Sequence, residues 1–106
     1  MAKRKLPGQY AWLMKNYPKI GKAYEGLGDA VHAAGPLDTK ARALIKLSVS
    51  VGAQLEGAVH SHARKALEVG VKPAEILHAV VLAMPTIGLP RTVAAMSWVR
   101  DVLEKE

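Results

Sequence analysis

The residues best suited to chemistry lie in one stretch, residues 56–70, with the sequence EGAVHSHARKALEVG. It contains His60, His62 and Glu56, and Gly70 at its end is typical of a helix end. His62 is predicted to lie within an apolar stripe, where an imidazole can transfer protons near neutral pH. At about 100° per residue, that stripe consists of Leu55, Ala58, Val59, His62, Ala66 and Val69.

Glu56 and His60 form a second candidate pair near the other edge of this stripe. They are one helical turn apart, close enough for a carboxylate–imidazole hydrogen bond that would orient the ring. The alternative for Glu56 and His60 is an ordinary pair on the helix surface. The alternative for His62 is a structural core histidine whose ring nitrogens are hydrogen-bonded. Because roughly 200° separates His60 from His62 on one helix, the two cannot bind one metal ion together. Glu56 and His60 could supply two ligands of a metal ion with a third from elsewhere in the chain, but nothing else in the sequence completes such a site. No metal and no other cofactor are therefore expected.

A third candidate region is the apolar segment PTIGLPR, residues 85–91. Its two prolines and Gly88 restrict the backbone just before a predicted helix, whose first N–H groups can bind an anion. The guanidinium of Arg91 can hold a carboxylate through two hydrogen bonds. Gly88, Pro90 and Arg91 are therefore the predicted substrate-binding residues, with a plain connection between helices as the alternative.

Apolar residues recur every three or four positions along most of the chain, which predicts an all-α fold. The segment 52–54 fits a break, a kink or continuous helix. The segment 76–84 is apolar enough to be buried on most sides, with neighbouring subunits supplying part of the cover. A basic tail, residues 1–8, precedes one domain, residues 9–106. The predicted helices span residues 9–16, 18–34, 39 onward, 56–70, 73–84 and 91–104.

Composition narrows the possible functions of the chain. Its 106 residues are enough for one domain, and half of them are hydrophobic. It has no cysteine, which excludes disulfides, thiolate metal sites and a thiol nucleophile. No apolar leader follows the basic start, and no run reaches the ~20 apolar residues of a membrane span, so we expect a cytoplasmic protein without membrane contact. The net charge of +6 is explained by a solvated basic surface or by one that attracts a small polycarboxylate. Nucleic acid is disfavoured as a partner, because aromatic residues do not alternate with the basic ones.

Three sequence runs carry a resemblance to a known family: HARKALEVG (residues 62–70), PAEI (73–76) and GLP (88–90). They resemble the carboxymuconolactone decarboxylase family, which includes the alkyl hydroperoxidase D (AhpD)-like proteins. The resemblance covers the chain from about Thr39 to its end. AhpD-like members carry Cys-x-x-Cys-x-x-x-His on the histidine-bearing helix. Here the two cysteine positions are Leu55 and Ala58, and the acidic residue expected near Ala43 is also missing, so thiol chemistry does not transfer.

The resemblance implies an AhpD-like bundle of about five to six helices that assembles as a homo-oligomer, commonly a trimer or hexamer. It also implies a lyase that decarboxylates a γ-carboxylated muconolactone to an enol-lactone. His62 would transfer the proton, His60 and Glu56 would assist, and Arg91 would hold a carboxylate of this small partner molecule. Two alternatives stay open: an AhpD-like antioxidant-family homologue without thiol peroxidase activity, and a non-enzymatic helical oligomer that binds a ligand.

Overall fold

The computed structural model describes residues 8–105, and this part of the chain consists of α-helices and the turns that join them. The all-α prediction is confirmed. By its internal contacts the chain divides into two compact units, residues 1–36 and 37–106; the single-domain organisation stays a prediction. The helices are α1 (Gly8–Asn16), α2 (Pro18–Ala33), α3 (Thr39–Gly52), α4 (Glu56–Glu68), α5 (Pro73–Leu82), α6 (Met84–Ile87) and α7 (Leu89–Lys105).

The first unit is a pair of packed helices, α1 and α2. They approach closely at Gly21, where a Cβ atom would collide with the sulfur of Met14. Farther from the turn, the rings of Tyr10 and Tyr24 meet edge to face at 6.1 Å between centroids. The predicted basic tail lies outside the described residues, except for Gly8, at which α1 begins.

The second unit has its core where α4 packs against both α3 and α7. Leu47, Val59, Ile76 and Val99 are fully buried there. Helix α5 contributes only one face, through Ile76 and Val80, while Leu82 is 64% exposed. Burial of α5 on most sides is thus not reached within the chain, and cover by another subunit stays a prediction.

One connection differs from the sequence prediction. Residues 85–87, expected to be loop, belong to the one-turn helix α6, which brings the count among the described residues to seven. Pro85 does not prevent this, because a first-turn residue has no intrahelical use for an N–H group. Only Gly88 then separates α6 from α7, and α7 starts earlier than predicted, at Leu89.

Within the described range, no helix combines the length and the apolar character needed to cross a membrane.

Candidate functional site

Helix α4 carries both candidate histidines, and its C-terminal end is fixed by a glycine. Gly70 has a φ of 94°, as the sequence pattern predicted for a left-handed cap. Its N–H donates to Leu67 O at 3.1 Å, and Val71 N–H donates to Ala66 O at 3.0 Å. These two hydrogen bonds form a Schellman motif, and they place the apolar side chain of Val71, 3% exposed, on the core.

The buried face of α4 is rotated relative to the predicted stripe. Val59, Ala63 and Ala66 are fully buried, and Ala63 was not in that stripe. Leu55, at the start of the helix, is 55% exposed, because a residue at a helix end has fewer neighbours to pack against. His62 is half-buried and lies about 60° around the helix from Val59, at one edge of the buried face. The ring thus combines partial desolvation with a route to solvent.

His60 lies at the opposite edge of that face and contacts α7. Its Nε2 atom is 3.0 Å from Oδ2 of Asp101, and the two side chains are 21% and 51% exposed. The carboxylate paired with His60 in the structure is therefore that of Asp101, in place of the predicted Glu56. Glu56 lies exposed in the first turn of α4, where its negative charge favours the helix N-terminus.

Sequence reasoning missed Asp101 because 41 residues separate it from His60. Helical periodicity places residues on a face of their own helix, but it does not say which neighbouring helix that face meets. No further acidic or histidine residue completes a metal site here: among residues 8–105, no three such side chains are grouped to hold an ion.

The predicted substrate-binding residues lie at the start of α7. Gly88 has φ 90° and ψ 160°, a conformation that L-residues rarely adopt. Its carbonyl accepts both the backbone N–H of Thr92, at 3.1 Å, and the Thr92 hydroxyl, at 2.9 Å, so the hydrogen-bond pattern of α7 begins at Gly88. Pro90 has no N–H to offer an anion, whereas the amides of Leu89 and Arg91 lie in the first turn, where helices leave such groups without an intrahelical acceptor.

The side chain of Arg91 is exposed, while its backbone is held by a residue from another part of the chain. Gln54, in the turn between α3 and α4, donates from Nε2 to Arg91 O at 3.0 Å. The segment with Gly88, Pro90 and Arg91 is thus joined to the turn that precedes the histidine-bearing helix. The sequence left residues 52–54 undecided; in the structure α3 ends at Gly52.

Positive charge gathers where α3 faces α4. Burial, and then the neighbouring charges of Lys65 and Arg42, lower the pKa of Lys46 below its ordinary value of 10.5. Lys46 is half-buried on α3, and Lys65 lies near the end of α4. The charges of Lys65 and Arg42 thus add to burial in disfavouring the charged form of Lys46.

Comparison with known proteins places these residues within one family pattern. Residues 18–101 match the model of the carboxymuconolactone decarboxylase family, a range that includes every candidate residue above. A protein of Haemophilus influenzae, described as an uncharacterized protein, is 43% identical over 54 residues, which make up 51% of this chain and 48% of that relative. The match therefore spans about half the length of this curated relative. No solved structure matches the chain.

Proposed function

We propose, because the chain belongs to the carboxymuconolactone decarboxylase family, that it performs cofactor-free acid–base chemistry on a small carboxylated molecule. The observation that carries the proposal is the position of His62 within the matched range, half-buried at the edge of the core face of α4. An imidazole there is partly desolvated and still reachable, which suits a group that exchanges protons with a substrate.

The reaction that we propose is the decarboxylation of a γ-carboxylated muconolactone. The bond between the ring carbon and the carboxylate breaks, and carbon dioxide leaves. The electron pair left behind is delocalised toward the lactone carbonyl, and a proton is then added at carbon to give the enol-lactone. His62 supplies that proton and is reprotonated by water. Since the proton is added to a carbon atom whose charge is shared with the lactone carbonyl, a proton donor with a pKa near neutral is the group that the step requires.

The other candidate residues take supporting roles in this proposal. The exposed guanidinium of Arg91 binds a carboxylate, and Gly88 and Pro90 line the pocket. His60 is oriented by Asp101, and Glu56 contributes negative charge at the start of the same helix. A thiol peroxidase activity is not proposed, because the peroxidatic step needs a thiolate and the chain has no cysteine.

We also propose that the protein assembles as a homo-oligomer, a trimer or hexamer. Support comes from large apolar side chains exposed on several helices; Tyr24 and Leu27 of α2 are 57% and 59% exposed, and Val49 of α3 is 66% exposed. Isolated exposed apolar residues are ordinary, but several on one helix suggest a surface that another chain covers. Light scattering after size exclusion measures the subunit count directly, and a monomer at micromolar concentration would count against the assembly. The cytoplasmic location stays a prediction.

The test of the function is the loss of γ-carboxymuconolactone, followed by ultraviolet absorbance, with wild type and His62 variants compared. We expect His62→Ala and His62→Gln to lower kcat by about 10²–10⁴-fold, the usual contribution of general acid–base catalysis. The thermal midpoint should change little. His78→Ala is the matched control, because His78 is an exposed histidine on α5.

Three results would contradict the proposal. Wild-type activity in His62→Gln would remove His62 from the mechanism, whatever the substrate. Absence of turnover by the wild type would reject this reaction and favour the alternative, a helical oligomer that binds an unidentified ligand. A His62 variant that unfolds, with no wild-type activity to lose, would identify His62 as a structural residue.

A further inference from the structure

Gln54 adopts a backbone conformation that its residue type disfavours. Its φ is 58°, and among the non-glycine residues between positions 8 and 105 it alone has a positive φ. Its N–H donates to Val51 O at 3.0 Å, and Leu55 N–H donates to Ser50 O at 3.1 Å. Gln54 is thus the left-handed residue of a Schellman motif that ends α3, the position that Gly70 occupies at the end of α4. A glycine would fit there without strain.

The side chain of Gln54 offers a reason for the exception. Its amide nitrogen donates to Val51 O at 2.9 Å and to Arg91 O at 3.0 Å, so one NH₂ group serves two backbone carbonyls. The second contact spans 37 residues and reaches the first turn of α7. An NH₂ group supplies both donors from one atom, whereas a carboxylate would repel the two carbonyls. With glycine, Arg91 O would lose this contact, while Val51 O would keep the backbone N–H of residue 54.

This contact connects the two segments that carry the proposed chemistry. Gln54 lies just before α4, the helix of His62, and Arg91 is the proposed carboxylate-binding residue. We infer that Gln54 is a positioning residue, which holds the start of α7 so that Arg91 meets the substrate carboxylate at a fixed distance from α4. The inference rests on the proposed function, and it adds to it the residue that sets the geometry. Because Arg91 is proposed to bind the carboxylate and His62 to transfer the proton, displacement of Arg91 should weaken substrate binding more than it slows the chemical step.

Two substitutions separate positioning from simple stabilisation. Gln54→Gly removes the side chain and also removes the strain of a positive φ, whereas Gln54→Glu keeps the length and exchanges the two donors for a charge. We expect KM for γ-carboxymuconolactone to rise about tenfold in both variants, with kcat within about twofold of wild type. The thermal midpoint of Gln54→Gly should equal or exceed that of wild type. A residue with a structural role alone would show the opposite pattern, a lower midpoint and an unchanged KM.

Amide hydrogen exchange provides a readout that does not depend on turnover. We expect faster exchange in both variants at the two hydrogen-bonded amides of this segment, those of Gly88 and Thr92, with unchanged protection of α5. Unchanged exchange at these two amides would overturn the inference, and so would an unchanged KM in an active enzyme. If the wild type does not consume the lactone, the proposed function fails and the role of Gln54 toward that substrate fails with it. The exchange measurement still tests, independently of turnover, whether the hydrogen bond between Gln54 and Arg91 holds the start of α7.

Discussion

Replacing Gly70 with alanine tests the cap that ends the histidine-bearing helix. Gly70 has a φ of 94°, and an L-residue in left-handed backbone costs about 1–2 kcal/mol. The new Cβ would lie 3.3 Å from Cε of Lys40, near the end of a flexible, exposed side chain that can move away. Because the contact is easily relieved, backbone strain should dominate. We expect the free energy of unfolding to fall by about 1–2 kcal/mol.

Gly57→Ala is the matched control, because it makes the same chemical change on the same helix. Gly57 lies in the first turn of α4, and nothing lies within 4 Å of the Cβ that alanine would add. An alanine in a helix is favoured over glycine by up to about 1 kcal/mol. The two variants should therefore shift stability in opposite directions.

Urea unfolding measured by circular dichroism checks both values, provided that the m-value is the same in wild type and variants. The difference between the two variants should be about 1–3 kcal/mol, well above the error of such comparisons. If Gly70→Ala proves as stable as Gly57→Ala, the positive φ does not control this helix end. The account of both Schellman caps would then be wrong.

Two further predictions concern polar contacts between helices. Asp101→Asn should lower the free energy of unfolding at pH 6 by about 0.5–1 kcal/mol, a small value because the pair of His60 and Asp101 is partly exposed. In a His60→Gln background the same substitution should have a smaller effect. Equal effects in the two backgrounds of this double-mutant cycle would show that the two residues are not coupled. Lys65→Gln should raise the pKa of Lys46 toward 10.5, because it removes one of the neighbouring charges that lower it. In wild type the unfolded chain binds more protons at Lys46, so its contribution to stability should rise with pH in the alkaline range below 10.5. NMR titration of the lysine side chains checks the shift, and an unmoved pKa in Lys65→Gln would reject this cause.

Much of the helical order could be predicted because its signals are local. Pro18 and Pro73 mark helix starts, and the carboxylate of Asp38 accepts from Ala41 N–H at 2.8 Å to cap α3. Gly70 marks the end of α4 through its own backbone preference. Each of these residues acts within a few positions of itself. The prediction of a loop in place of α6 was wrong because it also relied on a local signal. Pro85 suggests the end of a helix, but in the structure it lies in the first turn of a new one.

The candidate site was less predictable because its contacts join distant residues. The sequence places His60 one turn from Glu56, but the structure pairs it with Asp101. The choice between two carboxylates depends on how α4 packs against α7, which helical periodicity does not report. His62 was found from its helix position and the family resemblance, yet its location at the edge of the buried face, not within it, follows from burial at Ala63.

The caps of α3 and α4 place different residue types, Gln54 and Gly70, at the same left-handed position. At Gly70 the chain uses glycine, the residue that adopts a positive φ without strain, and glycine has no side chain with which to contact another helix. At Gln54 the chain departs from this choice of residue, and the same residue makes the contact with Arg91. A local penalty is retained where a distant contact compensates for it. Gln54 and His60 then hold α7 at residues ten positions apart, and the first of these contacts lies at the proposed carboxylate-binding residue. Since the first contact is made by Arg91 itself and the second lies ten positions farther along α7, the position of Arg91 should depend more on Gln54 than on His60. KM should therefore respond more to Gln54→Gly than to Asp101→Asn.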